Sequence, residues 1–517
     1  MRLPRLLTPV PRRTPGRHRR ATRRISGVAG LAILLTASGC TVGPDYHRPT
    51  APIPAAYKEA GWEPARPSDA IDRGAWWSVY RDPALDRLER QIDVSNQNLK
   101  AAEAAFREAE AIVAQARAGY FPTATVNAEA QRSRAAGSGQ ISNFFSVTTA
   151  ASWVPDLWGK IRRTVEGNIA SAQASAGDVA SARLAAQGQL ASDYVQLRIA
   201  DELKRLLDAA VQAFGESLRI TQNQYNAGTA AASDVAQART QLESTRAQAV
   251  AVGVLRAQLE HAIAVLIGKP PAELTIAPVA AVPPLPEIPA GLPSTLLERR
   301  PDIAAAERRM AAVNAQIGVA EAAFFPTVTL SADAGTAAAT LGKLVSASSR
   351  LWSFGSTLVQ TIFDAGARHA QVEQARAAFD AAVADYRQTV LSGFQQVEDE
   401  LAALRILAQQ AAAEDIAVAS AREAERIIFN QYKAGTVAYT NVVVAQTTAL
   451  SNAETALNVR QSRLLASVAL IQALGGGWEA GQLPGAERIE RDSPLNFSPL
   501  PPSDAVPSFW DALPKLW

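Results

Sequence analysis

One stretch constrains the fold more than any other, because the chain contains it twice. QYNAGTAAASDVAQARTQL, beginning at Gln224, returns as QYKAGTVAYTNVVVAQTTAL at Gln431, and the same 207-residue interval relates Arg256 to Arg463 and Gly268 to Gly475. Earlier in each half, AGYFPTATVNAEAQ pairs with AAFFPTVTLSADAG at an interval of 204. Solenoid repeats run to about 20–50 residues, so one large unit is present twice. Both copies of the motif place a glycine, Gly228 or Gly435, just past a helical stretch, where a left-handed cap needs a residue without Cβ. Ser233 and Thr440 stand five residues on and are expected to cap the next helix through their hydroxyls. Each copy reads as a helix hairpin with a tight tip.

The two halves share one order of elements. A helix, 84–118 or 301–323, stops before a Phe-Pro dipeptide, since proline restricts the residue before it. A strand follows. Thr123, Thr125, Asn127, Glu129 and Gln131 alternate with Ala124, Val126, Ala128 and Ala130, the two-residue period of one polar and one apolar face. The second copy sets Thr327, Thr329, Ser331 and Asp333 against Val328, Leu330, Ala332 and Ala334. A loop rich in Gly and Ser leads to a return strand, 143–155 or 350–363, carrying Phe144, Phe145, Trp153, Trp352, Phe354 and Phe363. The proline-free segments 160–226 and 367–433 then predict helices roughly 100 Å long at a rise of about 1.5 Å per residue. Along the second, Val390, Phe394, Val397, Leu401, Leu404, Ala408 and Ala411 alternate steps of four and three, and Leu203, Leu207, Ala210, Phe214 and Leu218 nearly repeat this; both are coiled-coil seams. After each tip a shorter helix, 231–267 or 438–474, is expected to stack on the helix that opens the half, so that one long helix runs beside two short ones.

Composition supports helices packed through small side chains, with abundant alanine and only 6% aromatics. The formal charge of +2 misleads: nine of the 51 basic residues precede Cys40 and none of the 49 acids does, so the remainder has 42 bases against 49 acids. An acidic excess argues against nucleic-acid binding. ISGVAGLAILLTASGC is too short to span a bilayer and has the layout of a secretory signal. It ends at Cys40, the single cysteine, so no internal disulfide is available. TASGC resembles the lipobox of bacterial lipoproteins, with Ala37 where leucine is usual; TRRIS matches a twin-arginine signal only weakly. The expected layout is a signal peptide (1–39), a lipid-anchored segment (40–83), a first repeat (84–269), a connector (270–300), a second repeat (301–478) and a tail (479–517), with nine prolines between 270 and 301.

The strands carry the functional argument. Two hairpins leave open edges, and in a membrane every backbone amide needs a partner. Four strands cannot close alone, and the smallest outer-membrane barrels have about eight, so several chains must pool theirs. The polar faces with Glu129 and Asp333 suit a water-filled interior, and Ala, Val and Leu suit lipid. Strand counting permits a dimer or a trimer.

GCTVGPDYHRP looks like the lipidated start of the outer membrane factors of bacterial efflux pumps, the family of TolC and OprM. LLERRPDIAAAERRMAAVNAQIGVAEAAFFPTVTLSA is similar to that family's most recognisable block, and QYKAGTVAYTNVVVAQ to its tip motif. The resemblance runs from Cys40 to about Trp478. It implies a mainly α fold with a membrane β-barrel: a homotrimer whose twelve-stranded β-barrel lies in the outer membrane and continues as a long coiled-coil α-helical barrel across the periplasm. Implied partners are a periplasmic adaptor (membrane fusion protein), an inner-membrane pump and outer-membrane lipid, with a covalent lipid on Cys40 in place of any cofactor. The tips Gly228, Thr229, Gly435 and Thr436 would dock the adaptor. Aspartates often ring the resting gate in such proteins; here Asp234 remains, and Asn441 and Val444 stand where acids are common. Tyr225, Tyr432, Thr440, Asn441 and Asp234 are the gate candidates, the tyrosines reading more readily as packing between hairpins.

Catalytic signatures are missing from the sequence: no Walker loop, no GxSxG and no HExxH. Met1 and Met310 are the only methionines, which gives soft-metal export little support. The expected function is the passive exit duct of a tripartite small-molecule efflux pump rather than an enzyme. A protein-secretion duct and a periplasmic coiled-coil scaffold without a pore are the alternatives.

Overall fold

The computed structural model describes residues 41–59, 75–134, 136–137, 139–279, 281–286, 288, 296–492 and 494–495. Cys40, the signal segment 1–39 and residues 496–517 of the tail lie outside the described residues. In order come α1 (Pro83–Ser95), α2 (Gln97–Ala118), β1 (Thr123–Arg134), β2 (Ile141–Trp153), α3 (Lys160–Asn226), α4 (Ala232–Leu266), α5 (Pro301–Ala322), β3 (Thr327–Ala338), β4 (Arg350–Val359), α6 (Ala367–Lys433), α7 (Tyr439–Ala473) and α8 (Ala486–Asp492), with short 3-10 turns between. The chain divides into two compact units, one built on the strands and the other on the helices.

In the strand unit, four antiparallel strands lie in the order β1-β2-β3-β4. Register places Val126 opposite Thr149, Thr149 opposite Ala334, and Ala334 opposite Trp352, so even-numbered β1 residues share a face with the apolar positions of β3. The return strands end at Trp153 and Val359, short of the expected 155 and 363; Ile362 and Phe363 are exposed, and the Gln360 amide donates to the carbonyls of Phe324 and Thr361 instead of continuing a ladder.

Two of the buried clusters in the helical unit hold its elements together. Trp76, Tyr80, Leu85, Ile92 and Leu99 pack with Leu190, Tyr194 and Leu197 of α3, Ile263 of α4 and Val468 of α7. Ile303 and Met310 of α5 pack with Tyr386, Val390, Phe394, Val397 and Leu401 of α6, as the spacing predicts. The expected helix 84–118 is broken at Asn96, whose extended backbone starts a new helix. Its side-chain oxygen caps Leu99 N (2.9 Å) while its amide donates to Leu266 O (2.7 Å), a carbonyl left open at the end of α4. Thus α4 abuts α2. The second repeat makes the same splice with a different residue: Arg300 donates to Ala473 O (3.1 Å) at the end of α7, just before α5.

Both splices turn on a glycine. The amides of Gly268 and Lys269 bond the carbonyls of Val265 and Ala264, and those of Gly475 and Gly476 bond Gln472 and Ile471, the paired bonds of a Schellman cap. A Cβ on Gly268 would fall on the carbonyl of Ser95, and one on Gly475 on that of Arg299.

Among the described residues, several buried polar groups lack a hydrogen-bond partner, and one of them is a carboxylate. Glu89 of α1 is fully buried and neither carboxylate oxygen has a hydrogen bond. Burial, then the nearby Asp93 and Asp86, raises its pKa well above the usual carboxylate range.

Two predictions arise. Gly475→Ala should abolish folding because backbone must move, whereas Gly435→Ala, with φ +76° but nothing within 4 Å of the new Cβ, should cost only about 1–2 kcal/mol; thermal unfolding of the purified variants checks the contrast. Since the folded state binds the Glu89 proton more tightly than the unfolded chain, its contribution is favourable below the unfolded pKa of about 4.3 and fades as pH rises through the higher folded value. Glu89→Gln should therefore raise the melting temperature at pH 8 and change it little near pH 4; equal shifts at both would contradict a buried neutral acid.

Candidate functional site

The two edge strands are bare on both sides. Every residue of β1 is exposed, and Val126, Trp352, Phe354 and Leu358 are each more than 60% exposed. One face carries Ala124, Val126, Ala128, Phe145, Val147, Leu330, Ala332, Phe354 and Leu358. The other carries Thr125, Asn127, Glu129, Ser146, Thr148, Ser331, Asp333 and Ser353, where the Ser353 hydroxyl donates to Asp333 (3.1 Å). Arg132, Arg134 and Arg350 end the apolar face at the hairpin rim. Aromatic residues mark both rims: Phe144, Phe145 and Trp352 towards the hairpins, and Trp153 and the stacked pair Trp158–Phe325 (4.8 Å) at the other end. Strands of 12 or 13 residues run about 40 Å, which at a tilt of about 40° leaves roughly 30 Å, enough for a bilayer's apolar core.

At the tips, Gly228 N bonds Tyr225 O and Thr229 N bonds Gln224 O; Gly435 and Thr436 bond Tyr432 and Gln431 in the same way. The threonine hydroxyls reinforce this, donating to Gln224 O (3.0 Å) and Gln431 O (2.9 Å). This role was not visible in the sequence. Ser233 and Thr440 do not cap: α4 and α7 begin at Ala232 and Tyr439, and the Asp234 carboxylate accepts from Ala231 N (3.3 Å). A carboxylate in the first turn also complements the helix dipole. Gly228, Thr229, Gly435 and Thr436 are all exposed.

The structure separates the gate candidates. Tyr432 is buried, its ring 5.3 Å from that of Tyr439, and its hydroxyl donates to Thr221 (3.0 Å) across to the first hairpin. Burial pushes the Tyr439 hydroxyl up to about 12, with Tyr432 and the Asp234 carboxylate adding to it. The Asp234 carboxylate is near enough to act on both tyrosines, while Thr440 and Asn441 are exposed. Tyr225, the repeat mate of Tyr432, is 45% exposed. Sequence reasoning missed Tyr439; the signal was available, since its mate is the small Ala232. Among the described residues no three metal-ligating side chains converge.

A strand wall with one watery and one oily face, continued in the chain by 67-residue helices that end in paired hairpin tips, defines an outer-membrane channel. The profile of the family described as outer membrane efflux protein matches residues 88–269 and 292–476, and the chain belongs to that family. It is 31% identical over 468 residues to the toluene efflux pump outer membrane protein TtgC of Pseudomonas putida, covering 88% of this chain and 96% of that one. The antibiotic efflux pump outer membrane protein ArpC of Pseudomonas putida matches equally, at 31% over 468 residues with the same 88% and 96% coverage. The solved outer-membrane channel OprN superposes with a TM-score of 0.79 at 30% identity, over 85% of this chain and 100% of that one.

The inter-hairpin contact is measurable. A double-mutant cycle of Tyr432→Phe and Thr221→Val should return a coupling of about 0.5–1.5 kcal/mol in thermal or denaturant unfolding; a coupling of zero would deny the hydrogen bond.

Proposed function

We propose that three copies of this chain close one barrel and form the passive outer-membrane exit duct of a tripartite pump for small apolar or amphipathic molecules. The observation that carries the reading is the open sheet: β1 and β4 each pair on one side only, and both edge strands are exposed. Because β1 and β4 run antiparallel, β4 of one copy can pair with β1 of the next in a head-to-tail ring, which cyclic symmetry closes. Three copies supply twelve strands.

The repeat asymmetry supports the same ring. Within the chain the second hairpin covers Tyr432 against the first, yet Tyr225 is bare at the matching place. On α4 Val250 is 71% exposed, whereas its mate Leu457 on α7 is buried. An 18-residue window of α4 has mean hydropathy 1.5, enough by length and composition to cross a bilayer, with 22% of it buried. A face of this kind is satisfied when the second hairpin of a neighbouring copy covers it.

The exposed turns Gly228–Thr229 and Gly435–Thr436 then present six similar points to a periplasmic adaptor, and Asp234 with the Tyr432–Tyr439 pair lies at the constriction. Names of relatives point to antibiotics and toluene as cargo classes. Energy comes from an inner-membrane partner, and this chain performs no catalysis. Lipid on Cys40 fits the position of its covalent neighbour: Thr41 lies in the strand unit, accepting from Arg162 (2.7 Å).

Purified protein in detergent should have the mass of three chains and conduct ions in planar bilayers. Tyr225→Glu should shift it toward monomer and abolish conductance, while Tyr225→Phe keeps both. A monomer that folds and resists association at all concentrations would refute the reading.

A further inference from the structure

Arg256 and Arg463 hold matching places in the two repeats but have opposite surroundings. Arg256 is fully engaged: Nε donates to Asp201 (2.8 Å), Nη1 to Glu260 (2.9 Å) and Nη2 to the Ile276 carbonyl (2.5 Å). The residues 207 positions beyond Asp201 and Glu260 are Ala408 and Ser467. The second repeat therefore keeps the cation and lacks both of its acids. Ser467 offers no substitute, because its hydroxyl bonds Tyr80 (2.7 Å) and the Leu464 carbonyl (2.6 Å). Arg463 Nε is sealed from solvent and has no acceptor, a costly state for a charged donor.

Arg463 borders a cavity of about 480 Å³ between α3, α6 and α7, closed on one side by Leu285 of the connector. Arg205, Arg422 and Arg460 line it too, with Glu202 and Asp415 the acids. Glu202 is taken up by Arg205, and Arg460 spends one nitrogen on the Val282 carbonyl (3.1 Å). Asp415 is the remaining acid of the lining beside Arg422, Arg460 and Arg463, which leaves the lining cationic.

We propose that this cavity binds a small free oxyanion, a phosphate or a carboxylate, with Arg463 as its principal ligand and Arg460 and Arg422 at its mouth. Guanidinium forks match the paired oxygens of such anions, and the anion gives Arg463 a counter-charge where its repeat mate Arg256 has two acids. The lining residues named above all belong to this chain. It is independent of the duct reading and assigns the helical unit a ligand that is not cargo.

Isothermal titration of the full-length protein with inorganic phosphate, and separately with citrate, at constant ionic strength tests this. One saturable site per chain is expected, weakened about tenfold or more in Arg463→Gln, since a hydrogen bond to a charged group is worth about that much. Ala408→Asp should also abolish binding, by giving Arg463 the acid that Asp201 gives Arg256, while raising the melting temperature. Absence of saturable binding to the natural protein, or equal affinity in Arg463→Gln, overturns the proposal. So does binding of neither anion together with loss of subunit association in Arg463→Gln, which would show that a carboxylate of a second copy fills the cavity.

Discussion

The unpaired backbone along β1 and β4 is the constraint from which the rest follows. An amide without a partner in hydrocarbon costs several kcal/mol, and each edge strand offers a row of them. Side chains cannot remedy this, because the edge strands are exposed on both faces, one of them polar and one apolar. The apolar face demands lipid, the polar face demands water, and the edges demand more strand. Only a closed wall meets the three demands together.

Duplication solves a second problem, how to end helices of 67 and 35 residues without leaving their last carbonyls bare. The same paired-bond cap appears at Gly228, Gly268, Gly435 and Gly475, but for two different reasons. At the splices the glycine lets α4 and α7 press their ends against the carbonyls of Ser95 and Arg299, so the constraint is steric and internal. At the tips nothing approaches the missing Cβ, and the constraint is only the sign of φ. A residue type that looks equally necessary in four places is structurally compulsory in two, and free to serve an outside partner in the others.

Much of this was legible in the sequence because it is periodic. The strand alternation, the long proline-free helices and the seam through Val390, Phe394, Val397 and Leu401 are local patterns, and local patterns survive without knowledge of neighbours. What escaped depends on partners far along the chain. The break at Asn96 exists because a carbonyl 170 residues away accepts its amide, so the continuous helix expected over 84–118 was wrong for a reason no window could contain. Ser233 and Thr440 have the chemistry of caps, yet the backbone starts its helix earlier and Asp234 reaches back in the first tip. Tyr432 as a packing residue was legible; its partners Thr221 and Tyr439 were not.

The places where the repeats disagree are more informative than those where they agree. Agreement at Gly268 and Gly475 records what a single half needs in order to fold. Disagreement records what the pair does together. Tyr432 is covered and Tyr225 is not, because one chain holds a second hairpin for its first to meet and no third for its first to lean on in turn. Arg256 secures the segment around Ile276 and Val279 through Asp201 and Glu260, a task that exists only where a connector must be held. The second repeat has no connector of that kind to secure and carries Ala408 and Ser467 in place of the acids, whereas Arg463 has three helices around it and a cavity in front of it. Arg463, part-buried and without the two acids that hold Arg256, is stabilised by an anion that enters the cavity, so the asymmetry itself argues for a ligand.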